Sequence, residues 1–238
     1  MQKPVVALTF DVERDYLRSG YVTPVSFSGI EHNLPTLLDK LKQFKARATF
    51  FLTPEVFQAC ESLTREIRKA HSLGLHTHSY YHPEFRGWEN DGDSFRNYSV
   101  QEKERMIMRD IESFEERFGK VGIFRIARLE PDPVILRVVS REGVELDSSF
   151  HNNNYGLIQK VKTRFDYHFK EIPVNFHLFG LTPQHFAHRM CSVVLTHPSV
   201  PHGKLDEQVY DEEKLWSIMR ALESQFDFVG LEELARDL

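Results

Sequence analysis

The sequence is organised around Gly74-Leu75-His76-Thr77-His78-Ser79-Tyr80-Tyr81-His82-Pro83, a stretch that carries three histidines within seven residues. His78 and His82 stand four residues apart. On a helical turn this spacing puts both imidazoles on one face, where they can bind one metal ion. Pairs at this spacing are common, so a polar loop that happens to be rich in histidine is the alternative interpretation.

A second stretch far upstream favours the metal interpretation. Val5 to Phe10 is an apolar run with β-branched residues, which predicts a buried strand, and Asp11 and Glu13 follow at its end. Barrels built from strands and helices carry their active sites at the carboxyl ends of the strands. The two carboxylates are therefore candidate site residues, with a solvated loop as the alternative.

Strand and helix patterns alternate from the first residues to the last. Strands are predicted at residues 5–10, 48–52, 75 onwards, 122–125, 144–149, 172–174, 192–195 and 228–229, and helices at 30–44, 54–70, 99–118, 133–141, 212–223 and 231–238. Gly74 is predicted to end the helix over 54–70 as a C-cap, and residues 172–174 to form an edge strand. Ser99 followed by Glu102 predicts a capping box at the start of the helix that ends at 118, and Asp132 is the predicted cap of the helix over 133–141. This order predicts one parallel α/β domain over residues 1–238, with a barrel as the favoured architecture.

The composition excludes several classes of protein. The 238 residues are 41% hydrophobic and 27% charged, which is ordinary for a soluble globular chain, and the net charge of −5 does not favour nucleic acid as a partner. Cys60 and Cys191 are not part of a CxxC pair, which favours packing roles and a reducing compartment. We find no run long enough to span a membrane and no secretory leader, and so expect a cytoplasmic protein.

Ionisable residues also follow three later predicted strands: Arg125, Asp147 and His197. Strand ends converge in a barrel, so these side chains can join the carboxylates and histidines in one site. A carboxylate and two histidines leave positions on a metal open for water and substrate. A second carboxylate then supplies a general base, and a separate histidine a general acid.

Five segments, in this order, carry a resemblance to a known family: residues 9–13 (TFDVE), 78–83 (HSYYHP), 124–129 (FRIARL), 146–149 (LDSS) and 195–197 (LTH). The ending at 228–234 (FVGLEEL) matches as well, so the likeness covers nearly the whole chain. With these motifs the sequence resembles the polysaccharide deacetylase family, the NodB-homology proteins of carbohydrate esterase family 4.

The resemblance implies a distorted (β/α) barrel of roughly seven strands and a hydrolase that removes an N-acyl or O-acyl group. Asp11 would match the catalytic base of the family, and Arg125 the arginine that orients this base. His197 would match the catalytic histidine that acts as general acid. Asp147 would match the acid that tunes this histidine.

The resemblance also implies a divalent metal ion, zinc first, with cobalt or nickel as alternatives, held by His78, His82 and a carboxylate. Two departures bear on this site. The usual ligand position holds Val12, which cannot bind metal, so Glu13 is the predicted ligand, as in relatives with an acidic residue two places after the base. Along an extended strand, Asp11 and Glu13 face the same side, whereas position 12 does not. The second departure is Ala127, where the family usually has proline.

The predicted substrate is an acylated amino sugar, with an N-acetyl group as the first choice, free or linked to a nucleotide or a lipid. Tyr81, Trp88 and Arg128 are candidate substrate-binding residues, with core packing or a salt bridge as alternatives. Two rival functions stay open. One is a metal-free amidohydrolase acting on a small cyclic amide or ureide, and the other a non-catalytic carbohydrate-binding protein.

Overall fold

A computed structural model describes residues 3–17, 20–21, 26–77, 98–151, 167–178, 181–186, 190–198 and 212–237. Its main element is a sheet of nine strands, in which every pairing is parallel. These strands are β1 (Val5–Val12), β4 (Thr49–Leu52), β5 (Ser72–His76), β6 (Ile123–Arg125), β7 (Leu146–Asp147), β8 (Lys170–Glu171), β9 (Phe176–His177), β10 (Cys191–Thr196) and β11 (Asp227–Val229). A separate antiparallel pair consists of β2 (Tyr16–Leu17) and β3 (Gly20–Tyr21).

The order of strands across the sheet is β8-β7-β6-β5-β4-β1-β10-β9. The apolar, β-branched strand β1 lies in the middle, as a strand buried on both faces requires. It pairs with β10 along one side. On its other side, β11 pairs with its first three residues and β4 with its last four.

The two edges of this sheet meet, because β8 and β9 are the ends of one extended segment over residues 170–177. The first half of the segment follows β7, with Ile172 N–H donating to Asp147 O at 2.8 Å. The second half follows β10, with Asn175 N–H donating to Val193 O at 3.0 Å. The sheet therefore closes into a barrel, and residues 172–174, predicted as an edge strand, lie between two neighbours.

Side chains alternate between the inside of the barrel and the layer under the helices. The inner cluster comprises Ala7, Phe51, Ile123, Ile172, Val174, Val193, Leu195, Leu231 and Leu234. A larger outer cluster includes Phe10, Val12, Phe50, Leu75 and Phe124. Each strand thus sends alternate residues inward, so inward-facing polar residues near the carboxyl ends lie close to one another.

The helices are α1 (Ser28–Gln43), α2 (Pro54–Ala59), α3 (Glu61–Arg68), α4 (Val100–Phe118), α5 (Pro133–Arg141), α6 (Glu212–Leu222) and α7 (Leu231–Asp237). Ser99 and Glu102 form the predicted capping box at the start of α4. Asp132 caps α5 by accepting hydrogen bonds from the backbone N–H groups of Val134 and Ile135.

Two details of the prediction were wrong. The helix predicted over 54–70 is two helices, because the backbone leaves helical geometry at Cys60, with φ −112° and ψ 46°. Gly74 is not a helix cap but lies inside β5, where a Cβ atom would come within 2.8 Å of the Phe51 ring. Glycine is thus needed there for close packing.

The predicted distorted (β/α) barrel is confirmed. Because β8 and β9 belong to one segment, the nine strands occupy eight positions, against roughly seven predicted. In the parts of the chain that the structure describes, no helix has the length and apolarity that crossing a membrane requires.

Candidate active site

A buried ion pair forms the centre of the barrel mouth. Arg125 at the end of β6 and Asp11 near the end of β1 both point inward, and Arg125 Nη1 donates to Asp11 Oδ1 at 2.7 Å. The Asp11 residue is 3% exposed and Arg125 fully buried. A charge buried this deeply requires a partner, and each of these residues supplies one for the other.

Further contacts fix the Arg125 guanidinium. Its Nη1 also donates to Thr9 Oγ1 at 3.0 Å, while its Nε and Nη2 donate to the carbonyl and the hydroxyl of Ser148 at 3.0 and 2.9 Å. Its Cζ lies 4.0 Å from the centroid of the Phe51 ring. The planar guanidinium is therefore held by residues of two other strands, β1 and β4, and by Ser148, the residue after β7.

Two histidines face the other oxygen of Asp11. The Nε2 atoms of His76 and His197 each lie 3.7 Å from Asp11 Oδ2. Burial opposes ionisation of Asp11, but the nearby charges of Arg125, His76 and His197 outweigh it and hold the pKa of this carboxyl below its usual value. Asp11 is therefore an ionised, buried carboxylate whose Oδ2 faces the mouth of the barrel.

Glu13 has a cation of its own. His76 Nε2 lies 2.9 Å from Glu13 Oε1, and His76 Nδ1 lies 2.9 Å from the carbonyl oxygen of Arg125. A carbonyl oxygen accepts hydrogen bonds, so Nδ1 carries a hydrogen, and a second hydrogen is shared between Nε2 and Glu13.

The two pKa shifts assign that second hydrogen to His76. Burial opposes both charges, but the contact between the two groups and the charge of Asp11 raise the pKa of His76. The hydrogen bond and charge of His76 in turn lower the pKa of Glu13. Both shifts favour the form of the pair with an imidazolium and a carboxylate.

The strand geometry explains the residue types at positions 11 to 13. Asp11 and Glu13 both contact His76, so the prediction that they share a face is confirmed. Val12 faces the other way and is fully buried in the outer cluster. A carboxylate at position 12 would lie among apolar side chains, whereas one at position 13 lies in the mouth.

Ala127 also has a local reason. Its backbone N–H donates to Thr77 Oγ1 at 2.9 Å, a hydrogen bond that proline cannot make because it has no N–H. Thr77 directly follows β5, and its own N–H donates to Arg125 O at 3.3 Å. These bonds tie the end of β5, from which the segment of His78 and His82 departs, to the end of β6.

His197 follows β10 directly and is half-buried, with 23% of its side chain exposed. The next residue, Pro198, is tied to α1, because the buried Asn33 donates from Nδ2 to Pro198 O at 2.8 Å. The half-exposed imidazole thus lies between Asp11 and solvent, where it can meet a substrate.

Asp147 lies elsewhere. It pairs in register with Phe124, an outer-cluster residue, whereas the next residue, Ser148, contacts Arg125 from inside the barrel. The Asp147 carboxyl accepts a hydrogen bond from Ser149 and lies against Glu171 of β8. Burial raises the pKa of Asp147 above its usual value, against these hydrogen bonds. The charge of Arg125 also acts on Asp147, but the hydrogen bond of its carboxyl goes to Ser149, and its tuning of the catalytic histidine stays a prediction.

The remaining predicted site residues lie outside the described ranges. These are His78, Tyr81, His82 and Trp88, together with the side chain of Arg128, whose backbone lies in a 3-10 turn. Within the ranges that are described, no three His, Cys, Asp or Glu side chains are arranged to hold a metal ion.

The described part of the predicted donor set fits a metal ion. Glu13 is ionised and 7% exposed, and it lies in the mouth beside the end of β5, which leads directly to His78 and His82. One carboxylate with two imidazoles is a donor set for zinc and other borderline divalent ions. Glu13 is therefore the residue of the barrel mouth that would bind such an ion.

Three residues of the mouth were missed as site residues: Thr9, His76 and Ser148. Alternation along the strand predicts Thr9, since it shares a face with Asp11. The same rule places His76 inward from its position at the end of a strand. Ser148 gives no such signal, because its role depends on the contact between the end of β7 and Arg125.

The fold and the candidate site together define a class of enzyme. A parallel barrel that holds an ionised carboxylate, a fixed arginine and an accessible histidine at the carboxyl ends of its strands is typical of barrel enzymes using acid–base chemistry. A family model for polysaccharide deacetylase matches residues 1–146. The chain belongs to the polysaccharide deacetylase family, hydrolases that act on carbon–nitrogen bonds other than peptide bonds.

Solved structures agree on the fold. The peptidoglycan N-acetylglucosamine deacetylase Bc1960 is 21% identical with a TM-score of 0.58, over 98% of this chain and 88% of that chain. The peptidoglycan deacetylase PdaC from Bacillus subtilis is 16% identical with a TM-score of 0.55, over 99% and 91%. A family 4 acetyl xylan esterase from Clostridium thermocellum, solved with a cobalt ion, is 19% identical with a TM-score of 0.58, over 97% and 89%. No curated protein sequence matches the chain.

Proposed function

We propose that this protein is a metal-dependent deacylase that removes an N-acetyl group, or a related N-acyl group, from an amino sugar. The observation that carries the proposal is the Asp11 carboxylate, held by Arg125 on one oxygen and facing His197 with the other. Family membership supplies the reaction class, and two of the similar structures are peptidoglycan deacetylases.

Asp11 is the proposed general base. A carboxylate that Arg125 keeps ionised can take the proton of the attacking water through Oδ2, which faces the mouth. The hydrogen bond from Arg125 to Oδ1 helps to fix the orientation of the carboxylate, so that Oδ2 is oriented before substrate arrives.

His197 is the proposed general acid. Its imidazole is half-exposed and borders the same oxygen of Asp11, so it can donate a proton to the departing sugar nitrogen next to the reacting carbonyl. The free amine and the carboxylic acid are the products.

Glu13, His78 and His82 would hold the divalent ion, with zinc as the first choice and cobalt or nickel as alternatives. When bound, such an ion lowers the pKa of a coordinated water and polarises an acyl oxygen. A sugar linked to a nucleotide or lipid and a cytoplasmic location stay predictions.

One observation favours a second candidate, the metal-free amidohydrolase. The contact between His76 and Glu13 gives this carboxylate a cation from the protein itself. Each buried carboxylate, Asp11 and Glu13, is then matched by one cationic side chain without any ion.

The test combines elemental analysis with acetate release from tetra-N-acetylchitotetraose, on wild type and on the Asp11→Asn and Glu13→Gln variants. We expect about one metal per chain in wild type, retained by Asp11→Asn but lost by Glu13→Gln, and turnover at least ~10²-fold lower in Asp11→Asn. Asp39→Asn, on the exposed side of α1, is the matched control and keeps both metal and turnover.

Each other result has a defined meaning. Full turnover after complete removal of metal would favour the metal-free amidohydrolase. Metal retained by Glu13→Gln would remove Glu13 from the ligand set. Binding of the sugar without turnover, in the presence of zinc, cobalt or nickel, would favour a protein that only binds carbohydrate.

A further inference from the structure

A stacked pair of imidazoles lies at the barrel mouth, and the proposed chemistry does not use it. The rings of His151 and His177 are nearly parallel, with centroids 5.6 Å apart and planes 12° apart. His177 ends β9, and His151 follows β7 and bridges to Val174 in the segment that closes the barrel. The two histidines therefore meet where the edges of the sheet join.

This position is beside the general acid. His177 is paired in register with Leu195, two residues before His197, and it feels the charges of His197 and Asp11. Around the barrel, β10 is the neighbour of β1 on one side, and β9 is the next strand after β10. The strand β5, which precedes His78 and His82 in the sequence, lies on the other side of β1. The stack thus lies on the β10 side of β1, next to His197, where the leaving nitrogen would be protonated.

The charge state of His177 suits a neutral ligand. Although His177 as a residue is exposed, the protein atoms packed around its ring, together with the nearby charges of His197 and His151, lower the pKa of His177 to about 4. At neutral pH this imidazole is uncharged, and it offers one N–H donor, one acceptor nitrogen and an aromatic face. His177 is exposed and His151 half-exposed, so a ligand can reach them.

The described residues around the stack do not form a metal site. In the described ranges, which include His151, His177 and His197, no three such side chains are arranged around a common ion. A sugar ring matches the pair better, because its hydroxyl groups match the ring nitrogens and its C–H face matches an aromatic surface.

We infer that the stack of His151 and His177 is the subsite for the pyranose ring that carries the scissile amide. This inference rests on the proposed function, since it assigns the leaving group of that reaction. The acyl group then points toward Glu13 and the sugar toward β9, with Asp11 and His197 between them.

The experiment measures kcat and KM for acetate release from tetra-N-acetylchitotetraose, and the dissociation constant of the same saccharide by calorimetry. In His177→Ala we expect both KM and the dissociation constant to rise about 3–10-fold, and kcat to change less than KM. His177→Tyr keeps an aromatic face and recovers part of the loss. His168→Ala, another exposed histidine, is the control and changes neither constant.

The outcomes separate the inference from the function. Turnover by wild type with KM unchanged in His177→Ala overturns the subsite and leaves the deacylase. Binding by wild type without turnover, weakened in His177→Ala, shows that the stack binds the saccharide but overturns both the deacylase and the assignment of the scissile ring to this subsite. A wild-type protein that neither binds nor hydrolyses the saccharide overturns both.

Discussion

Replacing Arg125 with methionine tests the central ion pair. The substitution keeps much of the side-chain volume but leaves the Asp11 carboxylate, 3% exposed, without its cation. Removing one partner of a buried ion pair costs about 3–5 kcal/mol of folding free energy. The loss of the Arg125 hydrogen bonds to the hydroxyl groups of Thr9 and Ser148 adds little to this cost. Each hydroxyl keeps its hydrogen bond to a backbone carbonyl, at 2.9 and 2.7 Å. We therefore expect a loss of about 3–5 kcal/mol.

The loss should depend on pH. Arg125 helps to hold the pKa of Asp11 below its unfolded value, so the pair stabilises the fold above that value and ceases to do so as the pH falls through the lowered pKa. In Arg125→Met, burial is no longer opposed by the guanidinium, so the pKa of Asp11 is higher than in wild type, and the variant regains stability as its carboxyl takes up a proton. The difference in stability between variant and wild type should accordingly shrink from pH 7 toward pH 4.

The assay is urea denaturation with a chelator present, so that bound metal does not contribute. Asp11→Asn and the double variant complete a cycle, and we expect the double variant to be about 1–3 kcal/mol more stable than the sum of the single losses. Arg68→Met is the control, because Arg68 also lies over a phenylalanine ring but is exposed. A loss below about 1 kcal/mol in Arg125→Met, or additivity within about 0.5 kcal/mol, would refute the reasoning.

Three further predictions follow from single residues. His197→Ala should lower the rate of the chemical step about 10²–10⁴-fold in single-turnover experiments with the metal content unchanged, and full activity would remove this residue from catalysis. The raised pKa of Asp147 means that its carboxyl favours the folded state at low pH and loses this advantage as the pH rises from the unfolded pKa through the folded one. Asp147→Asn should therefore gain stability over wild type between pH 4 and pH 8 in urea denaturation, whereas parallel curves would contradict the shift. Gly74→Ala should cost about 1–3 kcal/mol, because its Cβ would lie 2.8 Å from the Phe51 ring, whereas Gly122→Ala, with nothing within 4 Å, should not. Equal melting temperatures for these two glycine variants would contradict the packing argument.

The fold was predictable from the sequence because its elements carry strong local signals. The β-branched run of β1, the capping box at Ser99 and the cap at Asp132 each appear where predicted. The errors occur where packing overrides local signals. Gly74 resembles a helix cap in the sequence, but its role is set by Phe51, which is distant along the chain.

The candidate site was predictable where it depends on alternation along a strand. The shared face of Asp11 and Glu13 follows from the period of a strand alone. The position of Asp147 was not predictable in the same way, because β7 is two residues long and its pairing with β8 determines which contacts the carboxyl makes. The stack of His151 and His177 depends on closure of the barrel, for which the sequence carries no local pattern.

The spacing of the two carboxylates decides how the mouth of this barrel is built. Residues two apart on a strand share a face and lie about 6.6 Å from each other, at about 3.3 Å per residue. Each carboxylate therefore has room for its own cation, Arg125 for Asp11 and His76 for Glu13. An acidic residue at position 12, next to Asp11, would send its carboxylate outward, into the apolar cluster that Val12 occupies. With the second acidic residue at position 13 and not at position 12, both carboxylates lie in the mouth. His76 becomes part of the site because it contacts Glu13.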